Sequence, residues 1–272
     1  MISVIIPTCN RNDLLSKCLE LLSPINQTIE ETYEVIVTDD SKENIASKLI
    51  KEKYNWVKWV EGPKLGPAAN RNNGAKNAKG DWLVFLDDDC EPNSNLLQTY
   101  SINANQNVSY NAFEGSIVCN EKIINPLYTS PVNEKGGYLW SCNFAIRKAT
   151  FELLKGFDEN FKYPNLEDND LHYRLKVHHN KILFLQDAFV VHPPRLKASP
   201  RKFALYHESW LYYHRKIGTP KSLFNLLVTI LKNRIRDIYR CRLSLASLKA
   251  LCNCFLEICL TSVYYNTRYT FK

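Results

Sequence analysis

What this 272-residue chain lacks narrows it first. No glycine-rich loop follows its first apolar run, where the residues read Pro7-Thr8-Cys9-Asn10-Arg11. Enzymes that bind a dinucleotide on this kind of turn need Gly-x-Gly-x-x-Gly there, so a dinucleotide-dependent oxidoreductase is excluded. The nine cysteines are an odd count and form no Cys-x-x-Cys clusters, with Cys252 and Cys254 the only close pair. That argues against a disulfide framework and against a structural zinc site. There is no zinc-finger or RNA-recognition motif, so no nucleic-acid partner is expected. No Ser-His-Asp arrangement, internal repeat or low-complexity segment is present. The best candidate for a membrane span, Leu243 to Val263, is interrupted by Lys249, Asn253 and Glu257. A charge at the centre of a span costs about 2.5–3.5 kcal/mol, so surface attachment is easier to defend than crossing. The chain opens directly into an apolar run with no basic n-region and no cleavage site. The expectation is a reduced, cytoplasmic compartment, with peripheral attachment at the inner face of the cell membrane left open.

Hydrophobic residues make up 45% and charged residues 23%, which is enough for a sizeable core in one large domain or a domain with an appendage. Charge is unevenly placed. From Arg195 to Lys272 there are fifteen Lys/Arg against three Asp/Glu, whereas the first 194 residues hold twenty basic and twenty-five acidic residues. The asymmetry suggests two jobs, one with an anionic partner; a solvated basic face is the plainer alternative.

Hydrophobic periodicity then orders the elements. Ser3 to Ile6 reads as a buried strand stopped by Pro7, and Asp13 to Leu22 as an amphipathic helix. Tyr33 to Thr38 is a strand ending at Asp39-Asp40, Ile45 to Tyr54 a helix, and Val57 to Val60 a strand. Ala68 to Ala78 is a helix after the turn at Gly66-Pro67. Trp82 to Leu86 is a strongly apolar strand that stops at Asp87-Asp88-Asp89. This βαβαβαβ order predicts a largely parallel sheet covered by helices on both faces. Further on, strands are expected over Ala112 to Cys119 and within Tyr138 to Ile146, helices over Lys148 to Lys155 and Leu166 to Val177, and two separate strands over Ile182 to Leu185 and Ala188 to Val191. From Lys197 onward the pattern is helical.

Open parallel sheets bind ligands at the carboxyl ends of their strands. Three polar clusters occupy such ends: Thr8 to Arg11, Asp39-Asp40, and Asp87-Asp88-Asp89. Three consecutive aspartates repel one another unless a cation is present, and Mg²⁺ or Mn²⁺ with oxygen ligands would neutralise them and grip a diphosphate. A solvated turn is the alternative for an isolated triplet; the two companion clusters weigh against it.

Five segments together resemble family 2 glycosyltransferases. Val4-Ile5-Ile6-Pro7-Thr8-Cys9-Asn10-Arg11 is similar to the family's first-strand signature, and Val35-Ile36-Val37-Thr38-Asp39-Asp40-Ser41 to its second-strand acidic motif. Gly66-Pro67-Ala68-Ala69-Asn70-Arg71-Asn72-Asn73-Gly74 resembles the Arg-Asn-x-Gly helix, and Phe85-Leu86-Asp87-Asp88-Asp89 the Asp-x-Asp motif. Gly156-Phe157-Asp158-Glu159 with Glu167-Asp168-Asn169-Asp170-Leu171 resembles the acceptor-side segment. The resemblance covers roughly residues 1–195 and implies a glycosyltransferase A-type fold: a mostly parallel, Rossmann-like sheet flanked by helices, here with a C-terminal helical extension. It further implies an inverting transfer from a nucleotide-diphosphate sugar, with UDP as the leading carrier, in bacterial-type surface polysaccharide or glycolipid synthesis. By position Pro7, Thr8 and Arg11 would line the base and ribose pocket, and Asp39 would accept from the base. Arg71 would contact base or diphosphate, Asp87 would lie near the ribose or the metal, Asp88 would face the nucleotide, and Asp89 would ligate Mn²⁺ or Mg²⁺. The chain departs from the family's Asp-Asp-Gly-Ser by reading Asp40-Ser41-Lys42, which puts the turn after Asp40 in doubt.

An inverting transfer needs a carboxylate to take the acceptor proton. The family's motif places that base at Asp168, with Glu167 and Asp170 beside it on the sugar or acceptor side. The alternative is that Asp168 only helps Asn165 cap the helix. His192 follows the last strand, and either completes the metal site, as in related enzymes, or is structural. Trp140-Ser141-Cys142-Asn143 resembles the strand beside the donor sugar, so Trp140 and Asn143 are candidates to meet a sugar; Trp140 could equally be core.

The expected domains are a catalytic domain over 1–195, with a nucleotide-sugar half over about 1–110 and an acceptor half over about 111–195, and a basic helical region over 196–272. In that region Leu223, Leu226, Leu227, Ile230 and Leu231 recur at helical spacing, with Lys232, Arg234, Arg236, Arg240 and Arg242 close behind. Such a helix can lie on an anionic membrane, and a lipid-linked glycan is the acceptor that agrees with it. Packing on the catalytic domain or an oligomer contact are the alternatives. Two rival functions share the layout: a sugar-nucleotide nucleotidylyltransferase, disfavoured by the missing glycine loop, and a catalytically silent nucleotide-sugar binding module, disfavoured by Asp87, Asp89 and Asp168.

Overall fold

A computed structural model describes residues 1–241 and 243–269. Arg242 and residues 270–272, part of the expected basic region, lie outside the described residues. Along the chain the elements are β1 (Ile2–Thr8), α1 (Asn12–Leu21), β2 (Tyr33–Asp39), α2 (Ile45–Lys53), β3 (Lys58–Glu61), α3 (Pro67–Lys76), β4 (Trp82–Leu86), β5 (Glu91–Pro92), α4 (Leu96–Gln106), β6 (Ala112–Val118), β7 (Tyr128–Thr129), β8 (Asn143–Arg147), α5 (Lys148–Leu153), α6 (Glu167–Val177), β9 (Ile182–Val191), β10 (Arg195–Leu196), α7 (Pro200–Lys216), α8 (Leu223–Tyr239) and α9 (Leu245–Tyr269). They form two compact units. The first holds Met1–Asn120, Pro131–Lys162 and Glu167–Pro193; the second holds Glu121–Ser130, Tyr163–Leu166 and Pro194–Lys272.

The first unit is built on an eight-stranded sheet of order β3-β2-β1-β4-β8-β6-β9-β5. β3, β2, β1 and β4 are mutually parallel, and β6 and β9 run the same way; β8 and β5 run against them. This is the mostly parallel sheet of the glycosyltransferase A-type fold. Val4, Ile6, Val35, Val37, Val84 and Leu86 are fully buried in its core, as apolar residues on central strands must be. Helix α3 is unusual because it is polar yet buried. It lies so close to the sheet that a Cβ on Gly74 would come within 2.5 Å of Ile5 Cγ2, and its asparagines bond outward to the loops. Asn70 bonds Thr38 on β2, and Asn72 bonds both the amide and the carbonyl of Phe157.

Three expectations change and one is sharpened. Pro7 does not stop β1, which continues to Thr8; the ladder with β4 ends at Ile5↔Phe85, so no partner there requires an N–H from Pro7. The strand expected within Tyr138 to Ile146 is β8, which begins at Asn143 and runs to Arg147. The two late strands are one, β9, which passes exposed Gln186-Asp187 through a register shift opposite Gly115/Ser116. Helix α4 was not expected at all.

In the second unit α7, α8 and α9 pack around Leu211, Leu226, Ile230 and Cys254. The Ser199 side chain caps α7 and a Ser222–Asn225 capping box starts α8. Near the middle of α9 the buried Glu257 accepts from Arg234 Nε and Nη2 at 3.2 and 2.9 Å, and its other oxygen lies 2.8 Å from His207 Nε2. Burial would raise the Glu257 carboxyl, but His207 and Arg234 outweigh it and hold the group below its usual value.

Candidate active site

Thr8, Asp39 and Asp87 end, or directly follow, three neighbouring parallel strands, so their loops converge on one edge of the first unit's sheet. β8 runs antiparallel to β4 with Leu86 opposite Asn143, and delivers residues 140–143 to the same edge. β5 pairs with the end of β9, Glu91 opposite Val191, and so sets Asp89 beside His192.

Three linked groups result. Thr8 Oγ1 donates to Asp88 Oδ2 at 2.7 Å. Arg11 spans Asp88 Oδ1 at 2.7 Å and Asp89 Oδ2 at 3.0 Å. Asp88 is fully buried, and burial pushes its carboxyl up to about 7 against the pull of Arg11 and Thr8. The middle aspartate is thus buried as a strut between Thr8 and Arg11.

Arg71 is the second centre. Its Nη2 meets Asp87 Oδ1 at 2.7 Å and its Nη1 meets Glu167 Oε1 at 3.0 Å, with the guanidinium 5.7 Å from the Phe157 ring centroid. Burial opposes the charge on Arg71, but Asp87 and Glu167 prevail and keep it protonated. Glu167 is buried as well, and burial reinforced by the Asp168 charge pushes it up to about 7 despite Arg71.

Asp168 is partly exposed. One oxygen accepts the Ser141 amide at 3.2 Å and the other its own neighbour's amide, Asn169 N, at 2.7 Å. Burial raises its carboxyl, while the Ser141 amide and Arg71 act in the other direction. The Asn165 side-chain amide donates to Tyr206 O at 3.1 Å. Asp168 is therefore fixed across the site by the loop before β8.

That loop reveals a residue that the sequence reading missed. Buried Glu114, in β6, accepts Asn133 Nδ2 at 2.7 Å, Tyr138 N at 2.8 Å and Leu139 N at 2.7 Å on one oxygen, and Gly137 N at 2.6 Å on the other. Gly137 and Leu139 have φ of 101° and 53°, a backbone that this carboxylate stabilises. The available signal was one acid inside the apolar run Ala112–Val118. The loop carries Trp140, which is partly buried and stacks on Tyr138 with centroids 4.9 Å apart.

Three other implied residues lie deeper than the site's open edge. Asp39 is fully buried, and its oxygens accept Ser41 N at 2.9 Å and Ala46 N at 3.0 Å; it shapes the start of α2 rather than offering a surface to a base. With Ser41 Oγ accepting Ile45 N, this closes the turn without the family's glycine. Asn143 is fully buried and bonded to Tyr100, Ser116 O and Ala188 O, so it braces strands and does not meet sugar. Asp170 is fully buried against Arg174 Nε at 2.7 Å, and Arg174 in turn holds Leu154 O and Gly156 O. That ion pair ties the first turns of α6 to the loop after α5. Pro7 is buried at the end of β1, beneath Thr8.

The donor set bears on a metal. Asp89, Cys90 and His192 bring ligand atoms within 4.8 Å of one another, all from buried residues. His192 Nδ1 lies 3.0 Å from Pro193 O, a group that only accepts, so Nδ1 carries a proton. In the neutral ring Nε2 then points its lone pair at Asp89 Oδ1, 3.3 Å away. Two facing acceptors need a proton or a cation between them. The Cys90 thiol is directed to Cys142 O, and its contact with Cys142 together with burial keeps it protonated, so the fitting ligands are Asp89 and His192.

Comparison with known proteins agrees with this architecture. A glucosyltransferase of Campylobacter jejuni subsp. jejuni serotype O:2, named for GalNAc(5)-diNAcBac-PP-undecaprenol, is 26% identical over 196 residues, covering 70% of this chain and 62% of its own. The poly(ribitol-phosphate) beta-glucosyltransferase of Bacillus spizizenii is 38% identical over 107 residues, or 37% of this chain and 17% of its own. The chain thus spans less than two thirds of the length of these curated relatives. S. aureus TarS 1-349 in complex with UDP-GlcNAc superposes with a TM-score of 0.58 at 18% identity, covering 98% of this chain and 92% of that one. GalNAc-T7 with UDP, GalNAc and Mn2+ gives 0.57 at 19%, covering 78% and 48%. At such identities the structures speak for the fold. The model of glycosyl transferase family 2 matches residues 3–154, more than half of the chain, and with that the chain belongs to glycosyl transferase family 2.

Proposed function

We propose that the chain transfers a sugar, with inversion, from a UDP-sugar to a hydroxyl of a lipid-linked or surface glycan in a bacterial-type pathway. The observation that carries the reading is Arg71, which ties the donor-side Asp87 to the acceptor-side Glu167 and so holds Asp168 next to the donor cluster. Arg11 and Arg71 supply cationic charge for the diphosphate. Thr8 sits behind Asp88, and Trp140 on its Tyr138 partner offers an aromatic face to a sugar. In the reaction Asp168 accepts the hydroxyl proton while the acceptor oxygen bonds to the anomeric carbon. The bond from that carbon to the phosphate oxygen breaks, and the nucleoside diphosphate leaves with the electron pair. Asp89 and His192 would hold Mn²⁺ or Mg²⁺, which as a Lewis acid would offset charge on the diphosphate. Residues 1–195 would carry the chemistry and the basic 196–272 region would meet the membrane that presents the acceptor, at its cytoplasmic face. The undecaprenol-linked name of the Campylobacter relative and the UDP-GlcNAc complex of TarS support acceptor and donor class.

The test is donor turnover. Purified chain is incubated with a panel of nucleotide sugars in Mn²⁺, Mg²⁺ or EDTA, and released nucleoside diphosphate is measured. Release from one UDP-sugar that stops with EDTA is the expected result. Absence of both release and calorimetric binding of any nucleotide in Mn²⁺ would overturn the transferase reading; binding without release, even with acceptor present, would promote a silent binding module.

A further inference from the structure

Helix α8 of the second unit divides into three sectors. Leu226, Ile230 and Ile238 face the bundle core. At about 100° per residue its C-terminal half carries two adjacent exposed stripes. One holds Leu231, Ile235 and Tyr239, which are 44, 52 and 89% exposed. The other holds Lys232, Arg236 and Arg240, all exposed. The lone acid of α8, Asp237, lies outside both stripes and is paired with Lys197 at 2.6 Å and Arg234 at 3.8 Å. The outward surface of this helix is therefore an apolar–aromatic strip flanked by three cations with no anion.

Helix α9 bears on how such a surface could meet lipid. Leu245–Tyr265 is long and apolar enough to cross a bilayer by length and composition. Yet Glu257, near its middle, is 2% exposed and bound to Arg234 of α8 and His207 of α7. Crossing would either break this triad or carry charged α7 and α8 residues into hydrocarbon, and separating such a pair is strongly unfavourable. The triad holds α9 in the three-helix bundle and leaves α8 to present its strip sideways.

We propose that α8 docks the second unit in the plane of an anionic bilayer, with Leu231, Ile235 and Tyr239 at the acyl boundary, Lys232, Arg236 and Arg240 on lipid phosphates, and α9 not inserted. A second copy of the chain is the poorer occupant, because a self-contact would set this all-cationic stripe against its own kind, whereas an anionic surface complements it and the apolar strip together. The inference rests on the reading of a membrane-presented acceptor, but its test needs no donor and no turnover.

Flotation of the full chain with vesicles of phosphatidylcholine alone or mixed with phosphatidylglycerol decides it. Expected is flotation with the mixed vesicles only, weakened by salt and fully released by alkaline carbonate, which strips peripheral proteins and leaves spanning ones. Lys232→Glu/Arg236→Glu/Arg240→Glu should lower partitioning by a hundredfold or more, at roughly tenfold or somewhat less per cation removed. Ile235→Glu should lower it too, with circular dichroism confirming that both variants fold. No flotation with phosphatidylglycerol, unchanged partitioning of the variants, or resistance to carbonate would each overturn the proposal. So would an Ile235→Cys chain that cross-links to a second copy in the absence of lipid. Donor turnover without vesicle binding would remove this docking and leave the transferase reading standing; vesicle binding without turnover would do the reverse.

Discussion

Each unit buries a glutamate against an arginine, and the two pairs behave in opposite ways. In the second unit Glu257 has Arg234 on one oxygen and His207 on the other, and its carboxyl is held below the usual value. In the first unit Glu167 shares Arg71 with Asp87, has Asp168 as its neighbour, and is pushed up to about 7 by burial and that neighbour. The distances to arginine are nearly equal, 2.9 and 3.0 Å. What differs is the supply of partners: Asp237, 3.8 Å from Arg234, also has Lys197 at 2.6 Å and Glu257 also has His207, whereas Asp87 and Glu167 share Arg71 beside Asp168. A pair with surplus cation is structural; a cluster with surplus anion is poised to take a proton or a cation.

The largest effect expected from disturbing this contrast is on chemistry. Asp168→Asn removes the acceptor of the hydroxyl proton and should lower kcat by about 10²–10⁴-fold, with donor affinity by calorimetry nearly unchanged. Retained transfer would reassign the base. Next is stability. Glu257→Gln leaves the half-buried Arg234 without its full counter-charge and should cost about 3 kcal/mol in denaturant unfolding. Glu167→Gln should cost far less, because Glu167 is already partly protonated near neutrality. Glu114 is a third kind of buried glutamate, served by four N–H donors and no cation. Glu114→Gln sets an NH₂ group against those donors and should cost about 1–3 kcal/mol, with a raised acceptor KM as the Trp140 loop loosens. The smallest effect is on pH. The Asp168 and Glu167 carboxyls are raised, so kcat/KM should climb with pH and its acid limb should lie above the ordinary carboxylate range. Glu167→Gln removes a negative neighbour and should move that limb to lower pH. The sign for stability is opposite to that of a salt-bridged acid: the Glu167 contribution is most favourable below its unfolded value and is lost as pH rises through about 7, a slope the glutamine variant should flatten.

Much of the nucleotide-side architecture was legible because its signals are local. Trp82 to Leu86 is five apolar residues between polar punctuation, and the strand has those bounds. The acidic clusters announce strand ends for the same reason. Contacts made over distance were not legible. Glu114 looks like a blemish in a strand until residues 133–139 fold onto it, and nothing near Asn143 tells that Tyr100 and two carbonyls will occupy its amide. Asp170 lies two residues from Asp168 in sequence, yet one turn of helix carries it to Arg174. Helix α4 escaped because its Asn95 start makes no side-chain cap bond and Asn, Ser and Thr dilute its apolar face. β9 was split by Gln186-Asp187, since a bulge hides the continuity of pairing from any periodic pattern.

The pairing of β5 with the end of β9 also sets a timetable for synthesis. Asp89 leaves the ribosome a hundred residues before the partner strand that delivers His192, so every donor-side loop is exposed before the site can close. Contacts of such long sequence separation form late and slowly. A nascent chain stalled short of residue 190 would display the aspartate cluster with Arg11 as its nearby cation and without its histidine. The meeting of Asp89 with His192 is a property of the finished sheet rather than of the motif.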